Sequence, residues 1–327
     1  MSLAPDAVAV QTGARLHFGL LTQGHETGRR FGGLGLMLDQ PGWSLSLAPA
    51  PVDTLLAPPA WHDRLVALLA RIRQAQATPL PMAGVTLQVV HAPPAHGGFG
   101  SGTQLGLAVA WGLSQLARES PPSVLELARR AGRGLRSALG IHGFALGGLM
   151  LEAGQSERGQ IGPLVSRVAT PAHWRIVLLQ TGTGPASEGL AGDAEVQALD
   201  RLPPMPREIT ERLCGLAVRQ LLPAALEQRF AEFAEGLWEY GSLVGDYFAP
   251  VQGGRFASRR LAELVPRVRE LGYPGIAQTS WGPTLAVVCP SEMAGRELMS
   301  HLRREAPDVA TTLAAPLNRG VLGHGPP

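Results

Sequence analysis

The chain is 327 residues long, 45% hydrophobic and 17% charged, with a formal net charge of +2. That is enough for two medium domains, each with a core. All 28 basic residues are Arg, which excludes a lysine Schiff base, a phosphate-loop lysine and a buried amine base. A GC-rich coding bias would produce the same lysine-free composition, but the constraint on chemistry holds either way. The arginines are scattered or in short pairs (Arg29-Arg30, Arg129-Arg130, Arg259-Arg260), without the basic stripes and interleaved aromatics of a nucleic-acid binder. The start, MSLAPDAVAVQTGAR, has no basic stretch followed by an apolar one, so no signal peptide is expected. No apolar run reaches the roughly 18 residues of a membrane span. Cys214 and Cys289 lack metal-ligand spacing and fit a reducing cytoplasm.

In chain order, residues 8–21 read as extended and 43–48 (WSLSLA) alternate as a strand, with a glycine-dense turn at 32–35 between them. The spacing of Leu65, Leu68, Leu69 and Ile72 predicts a helix over 61–76. Residues 85–90 (VTLQVV) read as a strand that runs into a Pro-containing turn and then the loop 97–103 (GGFGSGT). Helices are expected over 103–118 and 123–139, and a buried strand over 144–152. A polar, Gly-rich shift at 154–163 places a soft domain boundary near 165, dividing the chain into 1–165 and 166–327. The second half opens with a strand at 175–180, a Gly-rich loop over 181–192, and helices over 207–222, 223–240 and 258–271. Strands at 276–280 and 284–288 then flank a Trp281-Gly282-Pro283 turn. A helix over 291–305 and a strand over 309–313 follow.

Three segments carry chemistry. A strand, then Gly98-Phe99-Gly100-Ser101-Gly102-Thr103-Gln104, then a helix rich in small residues is the layout of an anion-binding loop. Glycines let the backbone approach a ligand, and the helix start adds free amides and the positive end of its dipole. Ser101 and Thr103 can offer hydroxyls to phosphate or to Mg²⁺. The loop is neither a P-loop, lacking Gly-Lys-Ser/Thr, nor a dinucleotide fingerprint; the bland alternative is a plain capped helix start. The second segment, 14–21 (ARLHFGLL) with 29–35 (RRFGGLG), sets Arg15 and His17 two apart and so on one face of a strand. For His17 the competing reading is a hydrogen-bonded core histidine. The third is 278–284 (QTSWGPT), a polar turn that could be an ordinary hairpin.

Together, in this order, these segments resemble the GHMP kinase superfamily and within it the β-ribofuranosylaminobenzene 5′-phosphate (β-RFAP) synthases. The resemblance lies in residues 15–21, 31–35, 98–105 and 278–284, with further similarity at 136–148 and 189–195, and spans about residues 8–290. It implies an α+β fold of two domains: an N-terminal domain like S5 domain 2 and a ferredoxin-like α/β sandwich. It also implies condensation of phosphoribosyl pyrophosphate with 4-hydroxybenzoate or 4-aminobenzoate. CO₂ and pyrophosphate are released, as a step of tetrahydromethanopterin synthesis in one-carbon metabolism. The implied cofactor is Mg²⁺, the implied place the cytoplasm, and a homodimer is consistent with it. Neither nucleic acid nor membrane is an expected partner.

By the same resemblance, Arg15, His17 and Arg30 are the catalytic candidates. Gly98, Gly100, Ser101, Gly102, Thr103, Gln104, Ser280, Trp281 and Gly282 are the ligand-binding candidates, and Ser101 and Glu195 the metal ligands. Other acid–base candidates are Glu26, Glu152 and Asp193; Asp193 and Glu195 could equally cap a helix. The alternatives are a small-molecule ATP kinase of the same fold and a non-catalytic relative. Residues 136–148, where a superfamily kinase would carry its Asp, contain none, and no Lys is present to assist one.

Overall fold

The extended N-terminal run divides at Thr12-Gly13 into β1 (Val8–Gln11) and β2 (Ala14–Thr22), which join different sheets. The computed structural model describes residues 6–23, 28–76, 78–95, 97–181, 197, 201–279, 282 and 284–321. Next in the chain is β3 (Phe31–Leu38), whose eight residues are all buried. The sequence reads its glycines as a turn, whereas they form an inner strand of a sheet ordered β2-β3-β7-β8, with β7 at Leu149–Glu152 and β8 at Leu164–Val168. These glycines serve close approach: a methyl group at Gly33 would stand 2.7 Å from His17 Cε1, and one at Gly35 2.6 Å from the Leu16 carbonyl oxygen.

A second sheet is ordered β1-β4-β6-β5, with β4 at Ser44–Ala50, β5 at Thr54–Leu56 and β6 at Gly84–His91. Only its β5–β6 pair is parallel. Helix α1 (His62–Ala75) and helix α2 (Ser101–Leu116) pack on it, and Leu47, Leu65, Ile72, Leu87 and Leu105 are fully buried between them. Helix α3 (Val124–Arg130) is capped by Ser123, whose hydroxyl accepts from the Glu126 N–H. It is much shorter than the helix expected over 123–139. Gly132 and Gly134 adopt φ of +64° and +96°, left-handed values that end it. The strand expected over 144–152 begins only at Leu149, because residues 139–146 form helix α4 (Leu139–Leu146). A short apolar run reads equally as strand or buried helix.

The C-terminal half starts with β9 (Arg175–Thr181) and continues through α5 (Arg207–Leu216), a π-helical stretch (Ala217–Leu221), α6 (Leu222–Leu226) and the long α7 (Phe230–Gln252). Gln228, at φ +58°, breaks the single helix expected over 223–240, and α7 runs twelve residues beyond its expected end. Then come α8 (Arg259–Glu270), β10 (Ile276–Gln278), β11 (Thr284–Cys289), α9 (Glu292–Glu305) and β12 (Val309–Ala314). Their antiparallel sheet is ordered β10-β11-β9-β12. That is the split βαββαβ pattern of a ferredoxin-like sandwich, with the intervening α5–α7 region in the first connection. Leu261, Val268, Leu298 and Leu302 of α8 and α9 bury one face of it. The chain is α+β as expected.

One core crosses the two halves. Leu16, Phe18, Leu34, Leu36 and Leu151 from the β2-β3-β7-β8 sheet share a cluster with Trp174, Phe233, Tyr240 and Val244. The boundary drawn at 165 falls inside β8, and the chain leaves that sheet after Val168. Residues 189–195 lie outside the described residues, as does Glu26. Among the described residues no helix is long and apolar enough to cross a membrane.

Candidate active site

Alternation along β2 sends Leu16 and Phe18 into the core and turns Arg15 and His17 to the opposite face. His17 is buried, and its ring lies against Gly33, where any side chain would displace it. A bulge between His17 and Gly19 lets the Gly19 N–H donate to His17 Nδ1 at 3.1 Å. The proton of the neutral ring is therefore on Nε2. Burial first, then the charge of Arg15, holds the imidazole well below its usual pKa. At neutral pH His17 is thus an uncharged donor, not a cation.

Glu152 ends β7 opposite Gly33, on the same face, and is fully buried. Burial raises its carboxyl pKa. Hydrogen bonds from the Ala138 and Gly154 amides and from Ser137, with the charge of Arg15, pull the other way. The Ala138 N–H, just before α4, donates to Oε1 at 2.9 Å. Arg15, His17 and Glu152 therefore share one face, on which the neighbouring side chains are Met37, Leu139 and Met150.

The glycine loop leads into the sixteen-residue α2. Gly100 is its N-terminal flank, at φ +64°, a left-handed value that side chains rarely adopt. A methyl group at Gly100 would lie 2.8 Å from Arg15 Nε, so the Arg15 guanidinium rests directly on the loop. The backbone repeats that link, since the Arg15 N–H donates to the Phe99 carbonyl at 2.9 Å. Phe99 itself is buried in the shared core. The Trp43 indole N–H donates to the Ser101 carbonyl at 2.8 Å, and Arg64 lies against Gly102. Two arginines, Arg15 and Arg64, thus sit beside the first free amides of a helix, an arrangement that binds anions.

The C-terminal turn holds this loop. Thr279, fully buried, donates its hydroxyl to the Gly98 carbonyl at 2.9 Å and accepts from the His17 N–H at 3.2 Å. Thr284 Oγ1 donates to the Gly97 carbonyl at 2.8 Å. Gly282 faces Gly98 so closely that a methyl group on it would come 2.8 Å from Gly98 Cα. Gly282 therefore acts by packing against the loop. Ser280 and Trp281 lie outside the described residues.

The structure brings Arg15, His17, Gly98, Gly100, Ser101 and Gly102 together. Gln104 is fully buried and donates from Nε2 to the Gly140 carbonyl at 2.7 Å, tying α2 to α4, and Thr103 packs against Gly140. Arg30 stands apart from Arg15 and His17, exposed at the start of β3 and 5.4 Å from the Phe31 ring centroid. Glu195 and Asp193 lie outside the described residues. Among the described residues no three His, Cys, Asp or Glu side chains converge as a metal cage. A magnesium ion at the loop would rest on ligand oxygens and the Ser101 hydroxyl. The sequence marks the turn 278–284 without singling out Thr279, and gives no sign of Trp43 or Arg64; the contacts of all three join segments far apart in the chain.

Along 95% of its length the chain is 27% identical to a protein of Archaeoglobus fulgidus named beta-ribofuranosylphenol 5′-phosphate synthase, covering 98% of that protein. A protein of the same name from Methanocaldococcus jannaschii is 28% identical over 84% of this chain and 88% of its own. The chain is similar to these synthases along most of its length. No family model matches it. Among solved structures, a mevalonate pyrophosphate decarboxylase from Streptococcus pyogenes aligns with a TM-score of 0.67 at 12% identity, covering 97% of this chain and 99% of that one. The homoserine kinase of Cytophaga hutchinsonii aligns at 0.64 with 14% identity and 98% coverage of both chains. The fold is that of the GHMP kinases, and the relatives the chain resembles are named as synthases, which supports an enzyme.

Proposed function

We propose that this enzyme joins phosphoribosyl pyrophosphate to a 4-substituted benzoate and releases pyrophosphate and CO₂. The observation that carries the reading is Arg15 seated on Gly100 at the start of α2, beside a neutral His17. The ribose C1–oxygen bond breaks with its electron pair leaving on pyrophosphate. The ring carbon that bears the carboxylate then bonds to C1. Loss of CO₂ returns the electrons of the C–C(carboxyl) bond to the ring, so no proton has to leave carbon. Such a reaction needs anion stabilisation and alignment more than a strong base, which suits a lysine-free site. Loop amides and Arg15 would take the departing charge. Mg²⁺, held by substrate oxygens and Ser101, would neutralise more of it. The relatives' name specifies a phenol, which favours 4-hydroxybenzoate over 4-aminobenzoate. The step would serve tetrahydromethanopterin synthesis. The test is pyrophosphate release from phosphoribosyl pyrophosphate with and without each benzoate. Release that depends on 4-hydroxybenzoate supports the reading. Release that ignores both acids, or none at all, overturns it.

A further inference from the structure

Several arginines of the N-terminal half are matched by carboxylates: Arg73 by Asp53, Arg129 by Glu126, and Arg130 by Glu119 and Glu126. Among the described residues Arg64, Arg71 and Arg133 form no ion pair, and Arg133 Nε is buried with no hydrogen-bond partner. Arg64 and Arg71 are seven residues apart on α1, close to two turns, and so project from one side of it.

Arg64 and Arg133 lie on the glycine face of α2, and Arg71 lies beside Arg133. Arg64 lies against Gly102, and a methyl group at Gly106, one turn further, would be 3.2 Å from Arg133 Nε. Arg71 lies against Gly132, the residue before Arg133. The placement of Arg64 is built in from behind: it stands 5.5 Å from the Trp61 ring centroid, and Trp61 meets Trp43 edge-on at 4.6 Å. Trp43 is in turn hydrogen-bonded to Ser101. Burial first, then the charges of Arg64 and Arg71, push the Arg133 guanidinium down to about 10. Gathering like charges on a half-buried surface costs stability, and an anion from outside the chain would offset that cost.

We propose that Arg64, Arg71 and Arg133 form a second anion subsite beside the glycine loop, one that takes a phosphate monoester. Guanidinium forks match phosphoryl oxygens in pairs. A magnesium-bound diphosphate would bring a further cation against three arginines, so the metal-free monoester is the better match. The ligand's identity rests on the proposed function: phosphoribosyl pyrophosphate has phosphoryl groups at both ends of its ribose. The loop would serve the diphosphate end and the arginine trio the 5′-phosphate.

The test is calorimetric titration of the full chain with ribose 5-phosphate, without Mg²⁺. Arg64→Gln, Arg71→Gln and Arg133→Gln are each expected to weaken binding by about tenfold or more, as loss of a charge-assisted pair implies. Arg64 and Arg71 are exposed, so their variants carry the test if Arg133→Gln does not fold. No binding by the wild-type chain, or a smaller loss in folded Arg64 and Arg71 variants, overturns the proposal. Arginine-dependent binding in a protein that releases no CO₂ from a benzoate would leave the subsite standing and overturn only the reaction.

Discussion

Thr279→Val tests whether the C-terminal turn positions the site. The substitution keeps the shape of the side chain and removes the hydroxyl. That hydroxyl accepts from the His17 N–H at 3.2 Å and donates to the Gly98 carbonyl at 2.9 Å, in a fully buried position. Each buried polar group left without a partner costs about 1–3 kcal/mol, so the pair implies a loss of roughly 2–6 kcal/mol. The expected melting temperature falls by roughly 3–9 °C. Loss of the Gly98 tether also loosens the loop on which Arg15 rests, so the KM for the phosphorylated substrate should rise. Thr279→Ser retains the hydroxyl and should stay within about 1 kcal/mol of wild type. Thermal unfolding of the three proteins decides the matter. A Val variant that melts with the wild type would refute the reasoning.

Arg15→Ala should lower turnover at least tenfold, on the order of 1.4 kcal/mol, in a protein that still folds; unchanged steady-state kinetics would remove Arg15 from the site. Gly100→Ala combines a left-handed backbone with a methyl group 2.8 Å from Arg15 Nε, and should weaken binding of the phosphorylated substrate in titration. For His17 the folded pKa lies below the ordinary 6.5, so between those values the unfolded chain binds the extra proton. Stability should therefore fall as pH drops through about 6.5, and His17→Gln should flatten that part of the melting-temperature profile. Glu152 has the opposite sign, because its folded pKa is raised above 4.5 and ionisation costs stability as pH rises through it. Glu152→Gln should melt no lower than the wild type at pH 8, read from the same unfolding scans.

Much of this was legible in the sequence, and the failures have physical causes. The period-two placement of Arg15 and His17 survives in β2, and the Gly98–Thr103 loop does open a helix. β3 was not legible, because Gly33 and Gly35 are set by a histidine ring and a carbonyl from β2 that local propensity cannot see. The break after Arg130 follows from the left-handed Gly132 and Gly134, while helical periodicity alone carries the pattern onward. Glu152 could be named from sequence only as one of several acids; pairing with Gly33 is what sets it on the face of His17. Arg64 and Trp43 reach α2 only through tertiary packing. The absence of lysine and the lack of Asp over 136–148 are legible in the sequence and count against the kinase alternative.

The stoichiometry of carbon loss tests the proposed reaction. The chain is incubated with Mg²⁺, phosphoribosyl pyrophosphate and carboxyl-labelled 4-hydroxybenzoate, and labelled CO₂ and pyrophosphate are counted together. One CO₂ is expected for each pyrophosphate, both reduced in the Arg15→Ala variant. Pyrophosphate without CO₂, or neither product alongside ATP consumption on an alcohol, would contradict it.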